Sequence, residues 1–222
     1  MKKLFFILLL FVGKSLFAQE KPELFLEFKN NNRQQRIFYG GPILGLNATQ
    51  IDGDGYSGYD KVGFMGGAGV SFFIKENWAI NLQILYSRKG SVNRNTADDP
   101  YVGTVFSDYI AKVNVIELPL SFEYYHNRWV FNAGGAFNIL INESEEFGYY
   151  PQNDRYLPPA FQRFTADALL GLKYNLFSKI YVFAKFQYGI TPMRRVENTP
   201  LQVNYGVHQL NNQLSFGIQY LF

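Results

Sequence analysis

Histidine and cysteine set the first bound on what chemistry the chain can do. It has two histidines, His126 and His208, and no cysteine. Disulfides, thiolate metal sites and cysteine nucleophiles are therefore absent. Hydrolysis would need a hydroxyl nucleophile, a base within hydrogen-bond reach and a third group orienting that base. Ser215 follows His208 by seven residues, but on a strand that separation is about 23 Å. No other serine is nominated. The sequence is read as non-enzymatic, with a lipid-modifying hydrolase as the form an enzyme here would take.

Asp52, Asp54 and Asp60 are candidate oxygen ligands for calcium. Their spacing lacks the third ligand two residues after Asp54 and the bidentate glutamate of a calcium loop. Asp-Gly turn chemistry in a surface connection accounts for them better. Gly66-Gly67-Ala68-Gly69 lacks the Gly-Lys-Ser/Thr ending of a phosphate loop, and no helical pattern follows. Close packing or strong strand curvature explains those glycines. No cofactor and no metal are expected.

The remaining ionisable candidates are Glu117, Glu123, Asp167, Lys173 and Lys185, each on the polar side of a stretch in which apolar and polar residues alternate. Alternate side chains of a strand point to opposite faces, so these groups share an inner face. They could form an ion path or a packed polar core whose signs neutralise one another. The second is preferred, because an isolated buried charge is costly.

Eight such stretches can be traced. The first covers 36–47 and the second 62–74, which puts Phe64, Gly66, Ala68, Val70, Phe72 and Ile74 on one face. The third sets Trp78, Ile80, Leu82, Ile84 and Tyr86 outward and Asn81, Gln83, Ser87 and Lys89 inward. A fourth runs over 116–124, a fifth over 129–141, a sixth over 164–174, a seventh over 180–190 and the last over 213–222. Leu214, Phe216, Ile218, Tyr220 and Phe222 share one face of the last, and Leu221 is the apolar exception on the other. Connections near Lys75, Asn127 and Phe177 are short, whereas 48–61, 90–108, 142–163 and 191–210 are long. Transmembrane barrels sort their loops this way: short periplasmic turns, long outer loops, an even strand count and aromatic girdles. Trp78, Trp129 and Tyr124 stand where such a girdle would lie. The fold class expected is all-β, an eight-stranded antiparallel up-and-down transmembrane barrel. Pro119 cannot donate to a ladder, so a bulge is expected at that point.

The first residues fit export. Met1-Lys2-Lys3, an apolar run over 4–12 and Leu16-Phe17-Ala18-Gln19 have the charged start, apolar centre and small-residue cut of a signal peptide. The run is too short for a spanning helix, which needs about 20 residues. Residues 1–18 are read as a cleaved leader, 19–35 as a periplasmic segment that caps the barrel mouth or pairs at its rim, and 36–222 as the barrel. The leader holds three lysines and no acid. Without it the 21 basic side chains fall into balance with 18 acidic ones. A near-neutral chain gives no case for nucleic acid. The expected partners are outer-membrane lipid and lipopolysaccharide, the barrel-assembly machinery for which Tyr220 and Phe222 would be the signal, and proteins met at the outer loops. There Tyr149, Tyr150, Tyr156, Pro158 and Pro159 either present contact area or pack on the loop and the headgroups.

Several runs carry a resemblance. They are Gly45-Leu46-Asn47 leading to Ile51-Asp52-Gly53-Asp54-Gly55 and Gly58-Tyr59-Asp60-Lys61, then Leu85-Tyr86-Ser87-Arg88-Lys89-Gly90-Ser91, then Val115-Ile116-Glu117-Leu118-Pro119-Leu120. In this order, between a leader and a barrel end, they resemble the outer-membrane β-barrel family that includes the PorT proteins. The resemblance implies a small outer-membrane barrel and, as an alternative function, an accessory role in protein secretion or assembly. It brings no catalytic residue; Glu117 and Pro119 are implied as architectural positions. A structural or surface-interaction role through the outer loops is the main expectation, and a narrow solute channel is the lesser one.

Overall fold

The computed structural model describes residues 37–52, 58–99, 103–147, 160–194 and 209–222, of which 93–99, 103–109 and 147 as backbone alone. The expected leader and the 19–35 segment lie outside these residues. Eight strands follow one another along the chain: β1 (Phe38–Asp52), β2 (Lys61–Lys75), β3 (Trp78–Asp99), β4 (Gly103–His126), β5 (Trp129–Phe147), β6 (Phe164–Phe177), β7 (Ile180–Gly189) and β8 (Leu210–Tyr220). Each pairs antiparallel with the next, and β8 returns to β1 in the register Ile43 opposite Gln219 through Asp52 opposite Leu210. The result is a closed barrel. Closure leaves no edge of unpaired backbone groups, each of which would cost several kcal/mol in hydrocarbon.

The alternation in sequence becomes an inside and an outside. On β3, Ala79, Asn81, Gln83, Leu85, Ser87 and Lys89 are buried, while Trp78, Leu82, Ile84 and Tyr86 are exposed. Three two-residue turns, at Glu76-Asn77, Asn127-Arg128 and Ser178-Lys179, lie at one end. Asn127 and Ser178 take positive φ there, the backbone that lets a two-residue hairpin follow the strand twist. An aromatic belt surrounds this end. Trp78 packs on Tyr124 at 4.8 Å and Trp129 on Tyr174 at 4.6 Å between ring centroids. The rings of Tyr220 and Phe222 lie 5.9 Å apart in the same belt.

Past β8, the Phe222 amide donates to the Gly40 carbonyl at 3.0 Å, so the seam holds to the last residue described. Phe222→Ser removes one outward ring of the belt. It is expected to lower the amount of barrel recovered in heat-modifiable form from the outer membrane; normal recovery on SDS gels of unboiled samples would contradict this.

Beyond β1, which runs on through 48–52 where a connection is expected, three features differ from the sequence reading. Residues 90–99 and 103–108, expected as loop, extend β3 and β4, with pairing continuous from Gly90 opposite Lys112 to Asp99 opposite Gly103. β5 likewise runs on through 142–147. The apolar alternation of the sequence disappears there, although the ladder continues; on β5, Asn142, Glu143 and Ser144 are exposed whichever face they are on. The third difference concerns Pro119, which sits opposite Ala136 with no bulge. Instead, rungs are missing on its β3 side between Leu82–Leu120 and Leu85–Glu117, with the register kept. A proline that lacks its donor loses rungs there without shifting the strand. The bulge falls higher, between Asn114 and Val115, where β5 carries the extra residue Ile141.

Candidate functional site

The barrel interior gathers buried charge, and it does so in layers. Nearest the short turns is an apolar seal of Tyr39, Phe73, Ala79, Tyr125, Val130, Tyr181 and Leu221. Its rings interlock, Tyr39 edge-on to Phe73 at 5.5 Å and Phe73 against Tyr125 at 4.8 Å. Leu221, the inward exception in the last strand, belongs to this seal.

Above it lies the first charged layer. Lys173 Nζ is 2.6 Å from Glu123 Oε1, and Glu123 Oε2 also accepts from the Ser71 hydroxyl at 2.9 Å and the Tyr125 hydroxyl at 2.8 Å. Lys173 also donates to Gln219 at 2.7 Å. Ile43, Met65 and Leu85, with Phe183 against them, form an apolar cluster in the next part of the lumen. A second charged layer is centred on Lys89. Its Nζ stands 2.9 Å from Glu117 Oε1 and 3.1 Å from Asp167 Oδ2, and donates to Asn138 Oδ1 at 3.2 Å. Asn138 in turn donates to Asp167 at 2.8 Å. Lys185 reaches Glu117 only at 3.8 Å.

The structure therefore places Glu117, Glu123, Asp167, Lys173 and Lys185 all inside, but in two separate layers. The hub of one, Lys89, is missing from the charge set drawn from the sequence. Its inward parity on β3 was the signal that could have added it. Three cations stand against three carboxylates. Such a set stays folded because each charge has a partner; buried pairs of this kind contribute little net stability and are costly to break. A gap no larger than about one water molecule lies between these layers, lined by Gln83, Asn132, Lys173 and Lys185 among others.

A second apolar seal closes the outer end. Ile51, Ala111, Val113 and Val115 from the strands meet Phe161 and Met193 from the segments that fold over the mouth. Backbone bonds tie those segments together, from Gln162 N to Met193 O at 2.6 Å and from Met193 N to Gln209 O at 2.7 Å. Arg194 lies over the Phe161 ring at 4.0 Å and pairs with Glu145 at 2.7 Å.

The other candidates are not brought together. Asp52 accepts from Gln50 at 2.6 Å and from Asn212. Asp60 is exposed, and Asp54 lies outside the described residues. Among the described residues no group of three His, Asp or Glu could hold a metal ion. His126 is exposed at the turn end, stacked on Tyr124. Ser215 is buried in the lumen and accepts from Gln213 at 2.8 Å. His208, Tyr149, Tyr150, Tyr156, Pro158 and Pro159 lie outside the described residues. At Gly67 a Cβ would run into the Ile84 carbonyl oxygen, so that glycine is required by close strand approach.

The sequence pattern of the family described as "Outer membrane protein beta-barrel domain" matches residues 17–195. The chain belongs to this family. Its place is thus the outer membrane, with the exposed leucines, phenylalanines and isoleucines of the barrel wall facing lipid. Solved structures similar to it include Ail, the attachment invasion locus protein of Yersinia pestis, at 12% identity and TM-score 0.41, covering 83% of this chain and 98% of that one. Neisserial surface protein A is similar at 13% identity and TM-score 0.43, covering 83% and 97%. OprG of Pseudomonas aeruginosa is similar at 12% and 0.36, covering 83% and 95%. No curated protein sequence matches the chain.

Proposed function

We propose that this family member is a non-enzymatic surface-interaction barrel, whose wall anchors a rigid β-ribbon above the membrane. The observation that carries the reading is strand length. β3 has 22 residues and β4 has 24, where about 9–11 suffice to cross a bilayer. From Gly90 to Asp99 the excess of β3 alone is about 30 Å of strand. It pairs with β4, and β4 pairs with the extension of β5 up to Phe147. Three adjacent strands thus continue outward as one sheet. A pre-ordered sheet gives a partner a contact surface without the entropy cost of ordering a loop.

The sealed lumen supports the same reading against a solute channel. In planar bilayers the purified barrel is expected to show no steady openings; reproducible single-channel steps would overturn that part of the account. The ribbon is tested by replacing 92–110 with a two-residue Asn-Gly turn, which joins the paired residues Ser91 and Ala111. Heat-modifiable barrel is expected to persist while contacts of the cell surface with neighbouring cells or host proteins fall. Unchanged contacts, with loss of secreted proteins instead, would favour the secretion role implied by the PorT resemblance.

A further inference from the structure

The lipid-facing side of β3 reads, from the turn end upward, Trp78, Ile80, Leu82, Ile84, Tyr86 and then Arg88. Trp78 to Tyr86 is about 27 Å of strand, or about 21 Å of membrane at a tilt near 40°, close to the height of an apolar band. Arg88 is thus the first charge above the hydrocarbon on this strand. Its Nε donates to Asn114 Oδ1 at 3.4 Å, which also accepts from the Tyr86 hydroxyl at 3.1 Å. Next to it on β4, on the same outward parity, is Lys112. Lys61 opens β2 on the other side of β3, at the rim and opposite Thr49, so that its Cβ has the inward parity while its ammonium lies near Arg88 and Lys112.

The three cations are close enough to act on one another. Partial burial and then the charges of Lys112 and Arg88 hold the Lys61 ammonium below its usual pKa. Among the described side chains one carboxylate answers them. Glu146 sits 2.5 Å from Lys112, and its pKa is lowered first by that hydrogen bond. Among the described residues, Arg88 has no ion-pair partner. Among the described side chains the cluster therefore carries about two uncompensated positive charges at the upper rim of the wall. The outward positions of β7, β8 and β1 hold no lysine or arginine, so the charge is confined to one side.

We infer that Arg88, Lys112 and Lys61 form a site for the phosphate of an outer-leaflet lipid headgroup, at the upper edge of the apolar wall of β2–β4. The neighbour of a lipid-facing side chain at this height is a headgroup, and the anion that answers a cluster of Arg and Lys is phosphate, through charge-assisted hydrogen bonds. The acyl chains of the same molecule would lie along Tyr86, Ile84, Phe64 and Val62, which are exposed directly below. The inference needs the outer-membrane placement and is independent of the surface-interaction role.

The test is native mass spectrometry of the refolded barrel in zwitterionic micelles. It is offered lipid A carrying its phosphates or the same lipid A enzymatically dephosphorylated. The wild type is expected to retain the phosphorylated lipid roughly tenfold or more over the dephosphorylated one. Lys61→Gln, Arg88→Gln and Lys112→Gln combined should abolish that preference while the barrel keeps its heat-modifiable migration. Equal retention of both lipids by the wild type overturns the inference, and this arm stands even if the triple variant does not fold. An undiminished preference in a folded triple variant overturns it as well.

Discussion

Lys89→Met is expected to destabilise the barrel by roughly 3–5 kcal/mol, the cost of removing one partner from a buried ion pair. Lys89 is buried between Glu117 and Asp167 at 2.9 and 3.1 Å. Methionine fills much of the same volume but leaves two carboxylates facing each other with one distant cation, Lys185. The charge count then chooses the rescue. Lys89→Met with Asp167→Asn restores balance, because Lys185 remains for Glu117 and Lys173 for Glu123. The double variant is therefore expected to recover most of the loss. Lys89→Met with Glu117→Gln should recover less, since it takes away the carboxylate nearest Lys185. Equilibrium unfolding by urea in phospholipid vesicles measures all three. A single variant as stable as the wild type would mean the layer is hydrated rather than packed.

Gly41→Val is expected to abolish the folded form altogether. A Cβ at Gly41 would run into the Tyr220 carbonyl oxygen, and its carbon atom would be 2.9 Å away. These are backbone atoms of β8 across the closing seam, so they cannot yield as a flexible side chain would. Relief requires the seam to open. Every rung lost from the β1–β8 pairing then exposes donors and acceptors to lipid at several kcal/mol each. No heat-modifiable band should remain in the outer-membrane fraction. Pro42, the next residue, faces outward and gives a contrast: Pro42→Ala should leave the barrel folded.

Most of the wall was legible because lipid enforces a strict rule. With hydrocarbon outside and a polar packing inside, every spanning strand must alternate, and stretches such as Trp78–Tyr86 or Ile180–Tyr188 display the rule residue by residue. Short turns were legible for a similar reason, since Glu76-Asn77 and Asn127-Arg128 interrupt the alternation abruptly. Above the membrane the rule lapses. Residues 90–99 pair as regularly as those below, yet their sequence carries no apolar alternation, and they read as loop. The charged interior was legible as a set of inward residues but not as a geometry. Which carboxylate meets which lysine depends on register across the lumen, as Lys89 with Asp167 shows, and no local spacing encodes that. The outer seal was illegible for the same reason: Phe161, Met193 and Arg194 lie in connections and come together only when the barrel has closed.

Because the chain has no cysteine, single cysteines report sidedness without background. Ser144 is exposed on the outward extension of β5, and Glu76 is exposed in the first short turn. A membrane-impermeant maleimide applied to intact cells should label Ser144→Cys at once and Glu76→Cys only after the outer membrane is permeabilised. Labelling of Glu76→Cys on intact cells, with Ser144→Cys protected, would contradict a barrel that holds its ribbon outside the cell.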